Sequence, residues 1–385
     1  MTMFAPRPLA RASRLAACLT IGLLGLIVPL AGGCASSGGS VGDGSPEAYA
    51  RLSPMLDKVG YRWDWTGFPN PGRGESIASI DTYTDSVVTI DSTGKVTVLE
   101  SANGRSRWTL ELANRLTRFM GTARDPDPAR AGRLLVSTEA ELFILDMANG
   151  NLVSRQHYDK LVNTRPLLYG PLAIYGTVSG EILGHMPSRG VKAWAFGAPG
   201  SIEYAPLLVG HAAAAVSNSG SVSFVDASSG SLMGRNRMYG GIACSPCVAE
   251  NLLIVASVDQ SLYAYAPNGA QAWRYRTPSK LTDSPAYHDG TVYCAIPGQG
   301  MTAFDLATGA VKWSTPDVRG TMIGVRAGRL VAWDGAFMAT LEPQTGSIIE
   351  RVELPGVKLV ALDKFVDGNM YAVNSAGVVG KFLPR

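Results

Sequence analysis

The stretch Asp283-Ser-Pro-Ala-Tyr287, Thr291-Val-Tyr-Cys-Ala295, Met301-Thr-Ala-Phe304, Asp305-Leu-Ala-Thr-Gly309, Ala310-Val-Lys-Trp-Ser314 decides the fold. Its apolar residues alternate in short runs rich in β-branched and aromatic side chains, the pattern of β-strands. Proline and glycine break every window before an i, i+3, i+4 spacing is sustained, which excludes solenoids of helix pairs. In the Asp-x-x-x-Gly turn, the acid accepts hydrogen bonds from the turn's own backbone. The glycine takes a positive φ without steric cost. The unit reads as four strands, a to d, with that turn joining c to d.

Outward from this unit, the turn glycine recurs at Gly104, Gly150, Gly190, Gly230, Gly269, Gly309 and Gly346, at intervals of 46, 40, 40, 39, 40 and 37 residues. A beat of that length in four-stranded units is a propeller. After Gly346 come three strands, near 358–362, 369–373 and 378–382, so that blade lacks its fourth. One period before Gly104, Gly60-Tyr-Arg-Trp-Asp-Trp65 has the look of an orphan strand d. We therefore expect an all-β, eight-bladed propeller of four-stranded antiparallel blades over residues 60–385. Pairing of its N-terminal and C-terminal strands closes the ring and removes open sheet edges.

Four tryptophans stand four residues after a turn glycine: Trp108, Trp194, Trp273 and Trp313. A large ring at one fixed place per blade seals neighbouring sheets, and burying each contributes about 2–3 kcal/mol. They are read as structural. Trp65 and Trp333 fall off that spacing and are expected to be freer to be exposed.

Residues 1–33 stand apart. Arg7, Arg11 and Arg14 precede an apolar run from Leu15 to Leu30, a secretory signal by charge and length. The run ends at Leu30-Ala-Gly-Gly-Cys34, which resembles a bacterial lipobox with Ala31 where leucine is usual. That resemblance implies cleavage before Cys34 and a lipid on its sulfur; an ordinary cleaved signal and an uncleaved anchor are the alternatives. All three place the propeller outside the cytoplasm. Residues 34–45 form a flexible Gly/Ser tether. Residues 46–59 form a short helical lead-in, with Ser45 as cap, Pro46 in the first turn, Glu47 at the positive end and an end near Leu56.

Charge and chemistry exclude several function classes. Without residues 1–33, acids and bases are equal at 31 each, and no Lys/Arg run supplies the positive field a phosphate backbone needs. Nucleic acid is not an expected partner. Cys244-Ser-Pro-Cys247 has a redox or metal spacing, but Cys247 aligns with Ala286 of the next unit, a small strand-a residue. Small buried residues or a structural disulfide are the favoured readings, ahead of an incidental thiol and of metal or redox function. His157, His185, His211 and His288 are scattered, with His185 among the turn residues of blade 3 and no ligand spacing between them. The residues supply no catalytic group, cofactor or metal.

The longest interval reflects a polar loop, Arg124-Asp-Pro-Asp-Pro-Ala-Arg130, between strands a and b of blade 2. It lies on the face of the c-to-d turns. The opposite face collects Arg165, Tyr204, Tyr239, Lys280 and Arg319 from successive d-to-a connections, the candidate partner-binding residues.

The run from Val292 to Trp313 resembles the repeat of pyrroloquinoline-quinone enzymes and their cofactor-free relatives, over about residues 60–385. With a lipobox and eight blades, the chain is similar in kind to the BamB family of outer-membrane assembly lipoproteins. That resemblance implies a monomeric, non-enzymatic periplasmic scaffold, lipid-anchored in the outer membrane, that binds the assembly machinery. The quinone dehydrogenases instead use adjacent paired cysteines and a calcium site of acids; this chain has no Cys-Cys pair. A propeller holding a small molecule or glycan in its channel is the other alternative.

Overall fold

The computed structural model describes residues 44–385, apart from 126, 128, 129 and 131. Eight four-stranded antiparallel sheets follow one another as blades. Blades 1 to 7 each use four consecutive strands, from Ile77–Thr82 of blade 1 to Ile348–Glu353 of blade 7. Blade 8 takes three strands from the chain's end, Val357–Leu362, Met370–Asn374 and Val379–Pro384, and its outer strand, Tyr61–Gly67, from near the start. The closing register runs from Tyr61 opposite Pro384 to Gly67 opposite Val379. The split eighth blade is the one anticipated from Gly60 to Trp65.

The seven turn glycines have φ between +69° and +81°. In the repeat unit, the Gly309 amide donates to Asp305 O at 2.9 Å while Asp305 Oδ1 accepts from the Thr308 amide and hydroxyl. Each glycine also admits a neighbour: a Cβ on Gly309 would lie 2.6 Å from the indole of Trp273. The tryptophan on strand d of one blade thus caps the c-to-d turn of the next. Trp108 Nε1 donates to Met147 O at 2.9 Å, Trp273 Nε1 to Leu306 O at 2.7 Å and Trp313 Nε1 to Pro343 O at 2.8 Å. Trp194 packs on Gly230 in the same way without that hydrogen bond.

Trp65 corrects the expectation of exposure. It is only 7% exposed, lies on Gly104, and donates from Nε1 to Ser101 O at 3.0 Å. It is the seam tryptophan of blade 8, whose own turn glycine is absent because the chain ends interrupt that blade. Trp333 is half-buried against the core between blades 7 and 8.

The other three seams are closed differently. Between blades 4 and 5, Gly234 takes the tryptophan's place and backbone meets backbone: a Cβ there would lie 2.1 Å from the Asn268 carbonyl carbon. Between blades 2 and 3, Gln156 Nε2 donates to Pro187 O at 2.7 Å, leaving Oε1 to accept from His185 Nε2 at 2.8 Å. His185 lies in strand c, Glu181–Met186, buried edge-on against Tyr158, and not in the turn where the sequence placed it.

Between blades 7 and 8 the seal comes from outside the repeat. Tyr49 is fully buried, its ring edge-on to Phe382, and its hydroxyl faces Ala372 O at 2.8 Å and Val378 O at 2.9 Å. Gly380 makes room for the ring, and Leu52, Leu56 and Val59 continue the same core. The helix expected from Ser45 begins at Ser53 and runs to Lys58; turns with i to i+3 hydrogen bonds occupy the residues before it. Those turns point Tyr49 and Leu52 into the seam together.

Inner strands fall into two classes. Pro166, Pro206, Pro246 and Pro285 directly precede the inner strands of blades 3 to 6, each three residues long. Proline cannot donate to the neighbouring strand, which stops pairing there. The inner strands of blades 1, 2, 7 and 8 have no such proline, run six residues, and each carries a register shift.

Candidate functional site

The structure places the five candidate residues on d-to-a connections but in different settings. Tyr239 is 89% exposed and lies 5.6 Å from the Arg274 guanidinium carbon. Lys280 and Arg319 are exposed. Tyr204 is partly buried against the core of blades 4 and 5, and burial pushes its hydroxyl pKa up. Arg165 turns toward the channel and pairs with Asp81 of blade 1.

The same face exposes apolar residues that the sequence reading did not select. Leu161 and Val178 are joined through a Val178 N–H to Leu161 O hydrogen bond of 3.0 Å. Val258 is tied through its amide to Gly241 O at 3.1 Å, beside Tyr239. Their signal was available as single apolar residues in otherwise polar connections. Nothing in a connection's sequence says which side chains the neighbouring loop covers.

The channel is polar where the inner strands are long. Asp81 Oδ2 accepts from the Thr122 hydroxyl at 2.7 Å and from its amide at 3.2 Å, so Tyr83 donates to Thr122 Oγ1 at 2.8 Å. Burial, then the Asp81 charge, raises the Tyr83 pKa to about 12. Arg124 sits over the Tyr83 ring and pairs with Asp85. Two cavities of about 570 and 630 Å³ flank this network, the first reached by Arg165 and Leu168, the second by Asp363 and Lys364. The Arg124 loop does emerge between strands a and b of blade 2.

Cys244 and Cys294 are buried and Cys247 is partly exposed; all three thiols are free, so no disulfide joins them. The Cys244 and Cys294 sulfurs both lie against Asp283 O, at 3.3 and 3.9 Å, and burial raises all three thiol pKa values. A raised thiol pKa disfavours the nucleophilic thiolate. Among the described residues, no group of His, Cys, Asp and Glu could hold a metal ion. Cys34 lies outside the described residues.

Comparison with known proteins matches this architecture. The family profile described as outer membrane protein assembly factor BamB matches residues 62–196, 92–237 and 218–377. The outer membrane protein assembly factor BamB of Burkholderia pseudomallei (strain K96243) is 27% identical over 146 residues, a stretch covering 37% of this chain and 38% of that protein. The crystal structure of BamB from Moraxella catarrhalis superposes with a TM-score of 0.63 at 19% identity, over 80% of this chain and 96% of that one. The computationally designed protein Ika8 gives a TM-score of 0.66 at 12% identity, over 80% and 96%. Those two likenesses establish the fold alone.

Proposed function

The chain belongs to the family of outer membrane protein assembly factor BamB, and from that membership we propose that it is a non-enzymatic scaffold for outer-membrane β-barrel assembly. It works in the periplasm, tethered to the outer membrane through lipid on Cys34, and binds protein partners through the face of its d-to-a connections. One observation carries the docking face: Tyr239, Leu161, Val178 and Val258 expose large side chains there, and Lys280 and Arg319 expose charge on the connections that follow. Exposed apolar groups rimmed by charge suit a protein partner. Half-buried Tyr204 and the exposed Arg165, turned toward the channel, complete the face on its inner side.

A photo-crosslinker at position 239, in cells producing the protein at its native level, should capture a component of the barrel-assembly machinery. Capture of none, with unaltered outer-membrane protein levels after deletion, would sink the proposal. Cys34→Ala should abolish lipid labelling and release the protein from membranes. Continued labelling or retention would contradict the anchor while leaving the docking face standing.

A further inference from the structure

The fifth residue after the turn glycine is arginine in blades 2, 4, 5 and 7: Arg155, Arg235, Arg274 and Arg351. In three of these blades a neighbour occupies it. Arg155 forks onto Glu141 at 2.9 and 2.7 Å and lies 5.3 Å from the Phe143 ring centre. Arg274 donates twice to Ser261 Oγ and lies over Tyr263. Arg351 lies 4.5 Å from the Phe337 ring centre.

Blade 4 breaks the pattern. Its register sets Ser223 opposite Arg235, where blade 2 sets Phe143 opposite Arg155. Likewise Ser221 stands opposite Arg237, where blade 2 has Glu141 opposite His157. The carboxylate and the aromatic ring are both replaced by hydroxyls. Among the described residues, the guanidinium groups of Arg235 and Arg237 have no hydrogen bond or ion pair, and the Ser221 and Ser223 hydroxyls are equally without a protein partner.

These groups line a cavity of about 350 Å³ between blades 3 and 4, together with Ser219, Pro199 and Phe196. Ser219 is not available to a ligand in the same way, because it donates to Pro199 O at 2.8 Å. The lining holds no carboxylate. Alternate residues of a strand lie on one face roughly 7 Å apart, close enough for two guanidinium forks to converge on one tetrahedral anion.

We propose that this groove binds a phosphate monoester, with Arg235 and Arg237 clamping its oxygens, the Ser221 and Ser223 hydroxyls donating from the sheet, and Phe196 covering the ester's organic part. The dianion matches two cations with no competing acid. A soluble phosphate ester and the monoester headgroup of a lipid share this chemistry.

The test titrates the full chain in detergent with inorganic phosphate and with dihexanoyl phosphatidic acid, by calorimetry and by phosphorus NMR. Saturable binding is expected, weakened at least about tenfold by the double substitution Arg235→Gln, Arg237→Gln. Ser221→Glu, which installs the carboxylate of blade 2, should weaken it similarly while leaving the melting temperature unchanged or higher. Phosphatidic acid binding at least about tenfold tighter than phosphate identifies a lipid headgroup, and equal binding a soluble ester; either supports the site. Absence of saturable binding, or affinities untouched by both sets of substitutions in folded protein, would overturn it.

Discussion

Blades 3 to 6 and blades 7, 8, 1 and 2 come from one repeat and build two different halves of a ring. In the first half a proline cuts each inner strand to three residues, and the blades follow one another without interruption along the chain. In the second half the inner strands run six residues with a register shift. That half also contains the place where the ring must be closed by residues from both ends of the described chain. Its ties are accordingly long-range and polar. Arg326 of blade 7, almost buried, donates from Nε to Gly60 O at 2.9 Å and from Nη1 to Asp367 of blade 8 at 2.7 Å. Lys381 of blade 8 donates to Ser101 O of blade 1 at 2.7 Å. A repeat can thus close by repetition alone through most of the circle, but the joint needs residues that belong to no repeat.

The largest break in that comparison should come from Tyr49→Ala. It removes a fully buried ring from the closing half, where losses of this kind cost about 3–5 kcal/mol. Urea unfolding should show that loss, and hydrogen exchange should locate it in blades 7 and 8 ahead of blades 3 to 6. A loss spread evenly over all blades would mean that the two halves are not distinct.

Arg326→Met comes next. It removes one donor each from Gly60 O, which keeps the Arg385 amide at 2.9 Å, and from Asp367, which keeps the Ala327 amide at 2.8 Å; with the Asp367 carboxylate also half exposed, the cost is about 1–2 kcal/mol, below that of a fully buried pair. The same substitution should return the Asp367 carboxyl, held low first by the Ala327 amide and then by Arg326, toward the ordinary range in an NMR titration. No movement of that titration would remove Arg326 as the tie.

A smaller effect tests the seam of blades 2 and 3. Burial lowers the His185 pKa below its usual 6.5, against a weaker opposing pull from Asp159. The unfolded chain therefore binds the proton first, and stability contributed by the neutral ring falls as pH drops below 6.5. His185→Gln should flatten that part of the stability profile. An unchanged slope would assign it to other groups. The smallest effect is expected from Pro285→Thr, within about 1 kcal/mol, because it frees a backbone angle without emptying the core. It sharpens the comparison if the amide at position 285 becomes protected, extending the inner strand of blade 6 toward the length seen in blade 7.

What could be read from the chain divides along similar lines. The turn beat was legible because an acid, a glycine and their hydrogen bonds lie within five residues, as in Asp305 to Gly309. Blade count and the split blade followed from it. Trp65 was misplaced because its register is set by Gly104 of the following blade, and its own blade has no turn glycine to count from. Tyr49 was invisible as a seam residue, since its hydroxyl's partners lie 323 and 329 positions away. For the candidate docking face, the sequence located the connections but not the outcome for each side chain. Arg165 turns inward because Asp81, 84 positions distant, draws it there, whereas the Tyr239 ring stays exposed beside Arg274.

The strand Tyr61–Gly67 has a consequence for the order of assembly. During synthesis it precedes every other described strand of the ring, yet its partner, Val379–Pro384, follows all of them. Blades 1 to 7 can form in sequence behind it, each by local contacts with small loop-closure cost. Until Val379–Pro384 exists, residues 61–67 have no strand partner, although Gly104 and Ser101 of blade 1 already offer Trp65 its seat. Closure of the ring is thus a single long-range capture, and until it is made the unpaired edge is open to misdirected pairing with other strands.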